Sequence, residues 1–501
     1  MFDHQYKYDQ YFEASLSGRE TRWASPEEIK APCKHLDLND ENYPAGGLPI
    51  LSDGKEAYVD DLDTHSLVYG ATGSKKTRNI VMPLLNILIR AGESFVTTDT
   101  KAELYENSSG MAQKYGYDVI KVNLRDLCCS HTWNPMEEAY RFYHSGKKDK
   151  REKAIEMIDD FMQTIVAPHL EASNDIFWPE MARALLFANS LLLMDAASIE
   201  ECNVKSLSLL SMMDKKELLE SLMKRLREDS LASINYRGVF AAATAKETIG
   251  SIYASVYAIL RVFNTREGLL SMLSRSDFDM RQIGKRKTAV YLIVPDEKTS
   301  LHFLVTTFIK QVYEVLIDVA QSMPDRKLPI RLNFVLDEFC NIPAIPDMAS
   351  MISASRSRNM RFFLCVQSLH QLRGKYHEDA DTIKGNCDNW VFLTSREVAL
   401  LNEISELCGS YTLPTGITRS LISPSELQRL SKERGEALIM HGRQYPMISE
   451  LADIDDYEMF KGFGPASLKF GTVQRLAPQT MDLEKLLEQV TQGDREPPFE
   501  E

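Results

Sequence analysis

The segment Leu67-Val68-Tyr69-Gly70-Ala71-Thr72-Gly73-Ser74-Lys75-Lys76-Thr77 passes from an apolar run into a glycine-bearing turn that closes on lysine and threonine. No other stretch restricts the fold so tightly. In the pattern G-x-x-x-x-G-K-[ST], glycines let successive backbone N–H groups curl around phosphate oxygens. The lysine offsets the β/γ charge, and the hydroxyl holds Mg²⁺. Gly70, Gly73, Ser74, Lys76 and Thr77 fit, with Ala71 and Thr72 between them, so residues 70–77 are the candidate phosphate cradle for ATP and Mg²⁺. Lys75 stands where the pattern has its second glycine. Glycine serves where backbone must come close or take a positive φ, so a side chain there is expected to clash with the neighbouring strand or crowd the phosphates. The competing reading is an ordinary strand-to-helix turn rich in Gly, Ser and Lys. The flanks favour the first, because Ile80 to Ile89 reads as a helix with an early proline, Pro83.

The chain has 501 residues, enough for roughly two to four domains. Its 44% hydrophobic and 26% charged content is that of a soluble globular protein. A net charge of −14 repels phosphate backbones, so broad coating of DNA is excluded, and any nucleic-acid contact needs a local basic feature or a pore formed on assembly. The basic runs at 147–151 and 285–287 read as solvated faces. Eight cysteines carry no CxxC pair and no metal-ligand spacing, and read as reduced core residues of a cytosolic protein. No secretory signal opens the sequence. The most apolar helical stretch, Ala182 to Ala197, contains Arg183 and Asn189 and falls short of the roughly 20 residues a bilayer requires. A chain without a membrane span is expected.

Residues 1–60 are turn-rich and read as an arm with small strands. A nucleotide-binding domain begins at 61, with strands at Ser94–Asp99 and Tyr117–Asn123 around a helix that opens near Lys101. Such alternation implies a doubly wound, mostly parallel α/β sheet. Over 139–276 the strand signal gives way to helical periodicity, which predicts an all-α inserted domain. Strands return at Thr288–Val294 and Leu332–Leu336, so 277–482 completes the nucleotide-binding domain. The acidic tail 483–501 is expected to be disordered.

The run Phe334-Val335-Leu336 ends on Asp337 and Glu338. Opposite a phosphate loop, Asp337 would hold the metal's water shell, and Glu338 would orient or deprotonate an attacking water. Acidic residues also cap helices that follow strands, so this strand alone decides nothing. Gln367, at the end of a further strand, stands where such sheets place a γ-phosphate sensor. Just ahead lie Arg356, Arg358 and Arg361, and an arginine presented across a subunit boundary stabilises transition-state charge; a surface basic cluster is the other reading. Asp99, Lys101 and Glu103 stand where open α/β sheets place ligands, or at a helix start with local ion pairing.

The order of these elements resembles the type IV coupling proteins of conjugation and type IV secretion, the TraG/TraD-like family. The likeness runs through Arg22-Trp23-Ala24-Ser25-Pro26-Glu27-Glu28-Ile29, the loop at 70–77, Thr98-Asp99-Thr100-Lys101-Ala102-Glu103-Leu104-Tyr105, Trp133-Asn134-Pro135 and Asp175-Ile176-Phe177-Trp178. It continues through Asp337-Glu338-Phe339, Val366-Gln367-Ser368-Leu369-His370-Gln371-Leu372, Gly385-Asn386-Cys387 and Leu421-Ile422-Ser423-Pro424-Ser425-Glu426-Leu427. The resemblance implies a RecA-like P-loop ATPase that forms a homo-hexameric ring. It would recruit a relaxase with its DNA, or secreted protein cargo, and deliver it to a type IV secretion channel at the inner face of the membrane. The helical insert would help select cargo, and Arg356 would reach the neighbouring subunit's nucleotide. Members of the family usually begin with membrane-spanning helices, and the expected lack of one here leaves membrane attachment to a partner or makes this a soluble variant. A catalytically weakened docking adaptor with the same fold is the second reading.

Overall fold

The computed structural model describes residues 21–225, 229–242, 245–413, 415–468, 470 and 477–492. Among the described residues there are fourteen strands: β1 (Lys34–Asp37), β2 (Leu48–Ser52), β3 (Glu56–Asp60), β4 (His65–Tyr69), β5 (Ser94–Asp99), β6 (Asp118–Asn123), β7 (Thr288–Ile293), β8 (Leu332–Leu336), β9 (Met360–Val366), β10 (Cys387–Phe392), β11 (Ser410–Thr412), β12 (Thr418–Ser420), β13 (Glu436–His441) and β14 (Met447–Glu450).

Nine of them form one sheet in the order β14-β13-β10-β4-β9-β8-β5-β7-β6. The six strands from β10 to β7 pair in parallel, while β13 and β14 add an antiparallel edge. The reason lies in composition: β4, β5, β7, β8 and β9 are buried along their whole length, as strands covered on both faces must be. The expected doubly wound α/β sheet is what forms. Chain order and spatial order part company at β4, which lies between β10 and β9. Open α/β sheets bind ligands at such a switch, beyond the carboxyl ends of the strands.

The Met82–Ala91 helix follows β4, with Pro83 in its first turn and Gly92 at φ 76° closing it. Its residues Met82 to Arg90 are all buried, so it is a core element rather than an amphipathic surface one. Leu85, Ile87, Leu88 and Ile89 are fully enclosed, and each such side chain contributes roughly 1.5–3 kcal/mol. Strands β1, β3 and β2 form a separate antiparallel sheet whose inward residues Leu36, Ile50, Leu51, Ala57 and Val59 join the same core. Residues 1–20 of the expected arm lie outside the described residues.

The chain divides into two compact units, one of 1–121, 280–299 and 313–468, the other of 122–279, 300–312 and 469–501. The first holds most of the large sheet. Within the second, every described element from Glu137 to Met272 is helical, including Lys148–Ala172, Phe177–Ala196 and Lys246–Asn264. Among the described residues no helix is long and apolar enough to cross a membrane.

Two expectations require correction. Leu483–Gln492 is an α-helix rather than disordered chain, because Leu483, Leu486, Leu487 and Val490 recur at helical spacing and Leu483 and Leu486 are buried; residues 493–501 lie outside the described residues. The cysteines are not uniformly core residues: Cys202, Cys340, Cys365, Cys387 and Cys408 are buried, whereas Cys128 and Cys129 are exposed on a short 3₁₀ turn.

Candidate functional site

Because β4, β9 and β8 are neighbours in the sheet, the segments that leave their carboxyl ends converge. The loop 70–77 leaves β4, Gln367 follows β9, and Asp337 and Glu338 follow β8. The amide of Gly70 donates to Val366 O at 3.1 Å and that of Ala71 to Thr394 O at 2.9 Å, while Ser74 N closes the turn on Ala71 O at 3.1 Å. A Cβ at Gly70 would crowd Ser74 Oγ and lie 2.9 Å from Lys76 Cγ, so a side chain there would push both out of place. Gly73 takes φ 77°, the left-handed region.

Lys76 is buried, and its Nζ donates to Gly70 O at 2.5 Å with Glu338 Oε1 at 3.9 Å. Thr77 Oγ1 donates to Asp337 Oδ2 at 3.0 Å, so the hydroxyl and carboxylate of the expected metal pair are adjacent. Asp337 is fixed from both sides: Glu338 N donates to its Oδ1 at 3.0 Å, and Thr98 Oγ1 donates to its carbonyl at 2.6 Å. Burial, and then the Glu338 charge, push the Asp337 carboxyl up to about 6, against the opposing pull of Lys76 and Thr77. Glu338 sits at φ 53°, a left-handed conformation that costs about 1–2 kcal/mol for a side chain of this kind. Gln367 links the two halves: its Nε2 donates to Glu338 Oε2 at 2.5 Å, and Thr72 Oγ1 donates to its Oε1 at 3.3 Å.

These residues fit a nucleotide phosphate chain with a divalent ion. A buried ammonium reaches the loop backbone at Gly70 O, and a hydroxyl is paired with a buried carboxylate. Ser74 Oγ, also buried, has no hydrogen-bond partner among the described residues. Lys76, Thr77 and Asp337 would hold the group. When bound, it would supply a phosphoanhydride and the cation that polarises it.

Other candidates fall elsewhere. Arg356 lies before β9, at the amino-terminal edge of the sheet, where its Nε donates to Asp63 O at 2.7 Å and its guanidinium pairs with Asp388. Within one chain it is on the opposite edge from the loop. Arg361 is fully buried and structural, pairing with Glu93 at 2.7 Å and donating to Asn333 Oδ1 at 2.9 Å. Asp99 caps a helix start, accepting from Tyr105 N at 2.8 Å and Lys101 N at 3.3 Å, and burial raises its carboxyl to about 6.

Lys75 takes φ 67°, the conformation for which the pattern has glycine. Its ammonium leaves the loop and ends 3.3 Å from Asp453 Oδ2, beyond β14. Arg78 joins the same carboxylate through Nε at 3.1 Å and also pairs with Asp455. Sequence reasoning does not find Asp453, because nothing local ties it to a loop so far upstream; the capping pattern around Asp453 and Asp456 is the one cue it carries.

With this geometry in place, comparison with known proteins is informative. The family described as "Type IV secretory system Conjugative DNA transfer" matches residues 24–443. The chain belongs to this family. It is 23% identical over 367 residues to the conjugal transfer protein TraG of Escherichia coli, covering 70% of this chain and 55% of the relative. It is 25% identical over 424 residues to VirD4 of Rhizobium radiobacter, covering 83% of this chain and 58% of the relative. The chain therefore spans little more than half the length of these curated relatives. Among solved structures, the plasmid coupling protein TrwB in complex with the ATP analogue ADPNP aligns with a TM-score of 0.64 at 18% identity, over 91% of this chain and 97% of that one. TrwB in complex with ADP and Mg²⁺ aligns with a TM-score of 0.61 at 17% identity, over 89% and 95%. The coupling-protein fold, a RecA-like α/β domain with an all-α domain, is the fold of this chain.

Proposed function

We propose that the chain is a coupling ATPase that recruits a relaxase with its DNA, or protein cargo, and drives delivery to a type IV secretion channel. The observation that carries the ATPase part is the convergence of Lys76, Thr77, Asp337, Glu338 and Gln367 on one sheet edge. In this reading the loop backbone and Lys76 bind the phosphates of ATP, and Thr77 with Asp337 orients Mg²⁺. Glu338 takes a proton from the attacking water, and Gln367 reports phosphate occupancy to Glu338 and Thr72. Arg356, on the opposite edge, acts on the nucleotide of the next subunit in a homo-hexamer, which accounts for its distance from its own loop. The ring works at the inner face of the membrane, held there by partners.

The left-handed backbone at Lys75 supports a second reading, a docking adaptor that has lost turnover. Glu338→Gln decides between them. The ATPase reading expects nucleotide binding to persist while turnover falls at least about a hundredfold, the usual worth of a general base. Unchanged turnover removes Glu338 from the chemistry, and no turnover in the unaltered, assembled chain favours the adaptor.

A further inference from the structure

The loop tolerates lysine at a glycine position by sending that side chain out to a carboxylate far along the chain. Two facts fix Lys75. Its carbonyl accepts from Asn79 N at 2.9 Å, which starts the following helix, and its ammonium is 3.3 Å from Asp453 Oδ2. Asp453 is itself held rather than loose: its N–H donates to Asp456 Oδ2 at 2.9 Å, and its Oδ1 accepts from Asp455 N at 3.2 Å. Asn79 Nδ2 adds a bond to Leu451 O at 3.3 Å. Three side chains of the loop–helix junction, Lys75, Arg78 and Asn79, therefore reach one short segment, Leu451 to Asp455. A left-handed residue with a side chain costs about 1–2 kcal/mol and persists only where its surroundings hold it.

We infer that Asp453 is a positioning residue for nucleotide binding: it draws the Lys75 ammonium away from the phosphate cradle and so does the task of the missing glycine. The inference rests on the proposed nucleotide site. It predicts that the effect of losing Asp453 depends on which residue stands at position 75. With Asp453 present, Lys75→Gly changes little, because the lysine is already out of the way. Without that carboxylate, the lysine is released at the rim of the loop, and binding suffers until the lysine is removed as well.

The test is a double-mutant cycle of Lys75→Gly and Asp453→Asn, read as equilibrium binding of ATP with Mg²⁺ to the full chain. Asp453→Asn is expected to weaken binding about tenfold in the lysine background and less than about twofold in the glycine background. Asp453→Glu should restore it. An equal loss in both backgrounds, or none in the lysine background, overturns the inference; the lost Arg78 contact is common to both and cancels. A second arm melts the four ligand-free proteins. Non-additive midpoints support the pair, and additive ones overturn it. If the unaltered chain binds no ATP, the proposed function fails, and the melting arm alone decides whether Asp453 holds Lys75.

Discussion

Replacing Asp337 by asparagine should make the ligand-free protein more stable at neutral pH while removing its response to Mg²⁺. The Asp337 side chain is buried, and its carboxyl is raised from 3.8 to about 6 chiefly by burial and by Glu338. That difference corresponds to about 3 kcal/mol of destabilisation above pH 6. The sign follows from the raised value: the folded state holds this proton more tightly than the unfolded one, so the stabilisation is complete below 3.8 and is lost as pH rises through about 6. Asparagine has the same shape and no charge. It keeps an acceptor for either Thr77 Oγ1 or Glu338 N, but not for both, which costs about 1 kcal/mol. The net gain at pH 7.5 is then about 1–2 kcal/mol, or a rise of about 2–6 °C in melting temperature for a unit of this size. At pH 4.5 most of the carboxyl is already protonated, and the gain should vanish or reverse. Melting curves of the two proteins in chelator at both pH values measure this. With ATP present, adding Mg²⁺ should raise the midpoint of the unaltered chain further and leave that of the variant unmoved. A variant that melts lower at pH 7.5, or differs by the same amount at both pH values, would refute the assignment of Asp337 as a strained carboxylate kept for a cation.

The two arginines near β9 should separate cleanly. Arg361→Ala breaks a buried pair with Glu93, which keeps Arg331 at 3.5 Å, and removes the donor to the carbonyls of Gly46, Asp60 and Leu62; it is expected to cost about 3–5 kcal/mol in stability, read by denaturant unfolding. Arg356→Ala removes a half-exposed pair with Asp388 and should cost less than about 1 kcal/mol, while lowering ATP turnover only under conditions where subunits assemble. Equal turnover loss in the monomer would argue against a cross-subunit role.

How much of this was legible in the sequence depends on the range over which each signal acts. The strand–loop–helix at 67–91 and the Asp337–Glu338 strand end are written in consecutive residues, and the structure has them where the pattern puts them. That the two meet is a property of sheet order, which alternation implies but does not number. Arg356 and Arg361 look alike in the chain and differ only in burial, because one precedes the strand while the other points from it into a polar pocket made by Glu93 and Asn333. The Lys75–Asp453 pair spans 378 positions, beyond any local rule. At the tail, acidic composition hides a short helical repeat, Leu483, Leu486, Leu487 and Val490, that periodicity alone reveals.

The most direct test of the central claim is equilibrium binding of ATP, with and without Mg²⁺, to the purified chain and to its Lys76→Ala variant. The account predicts saturable, Mg²⁺-strengthened binding that the variant loses, because Lys76 supplies the only buried ammonium at the loop among the described residues. Binding of equal strength in both proteins, or no binding to the folded, unaltered chain, would contradict it.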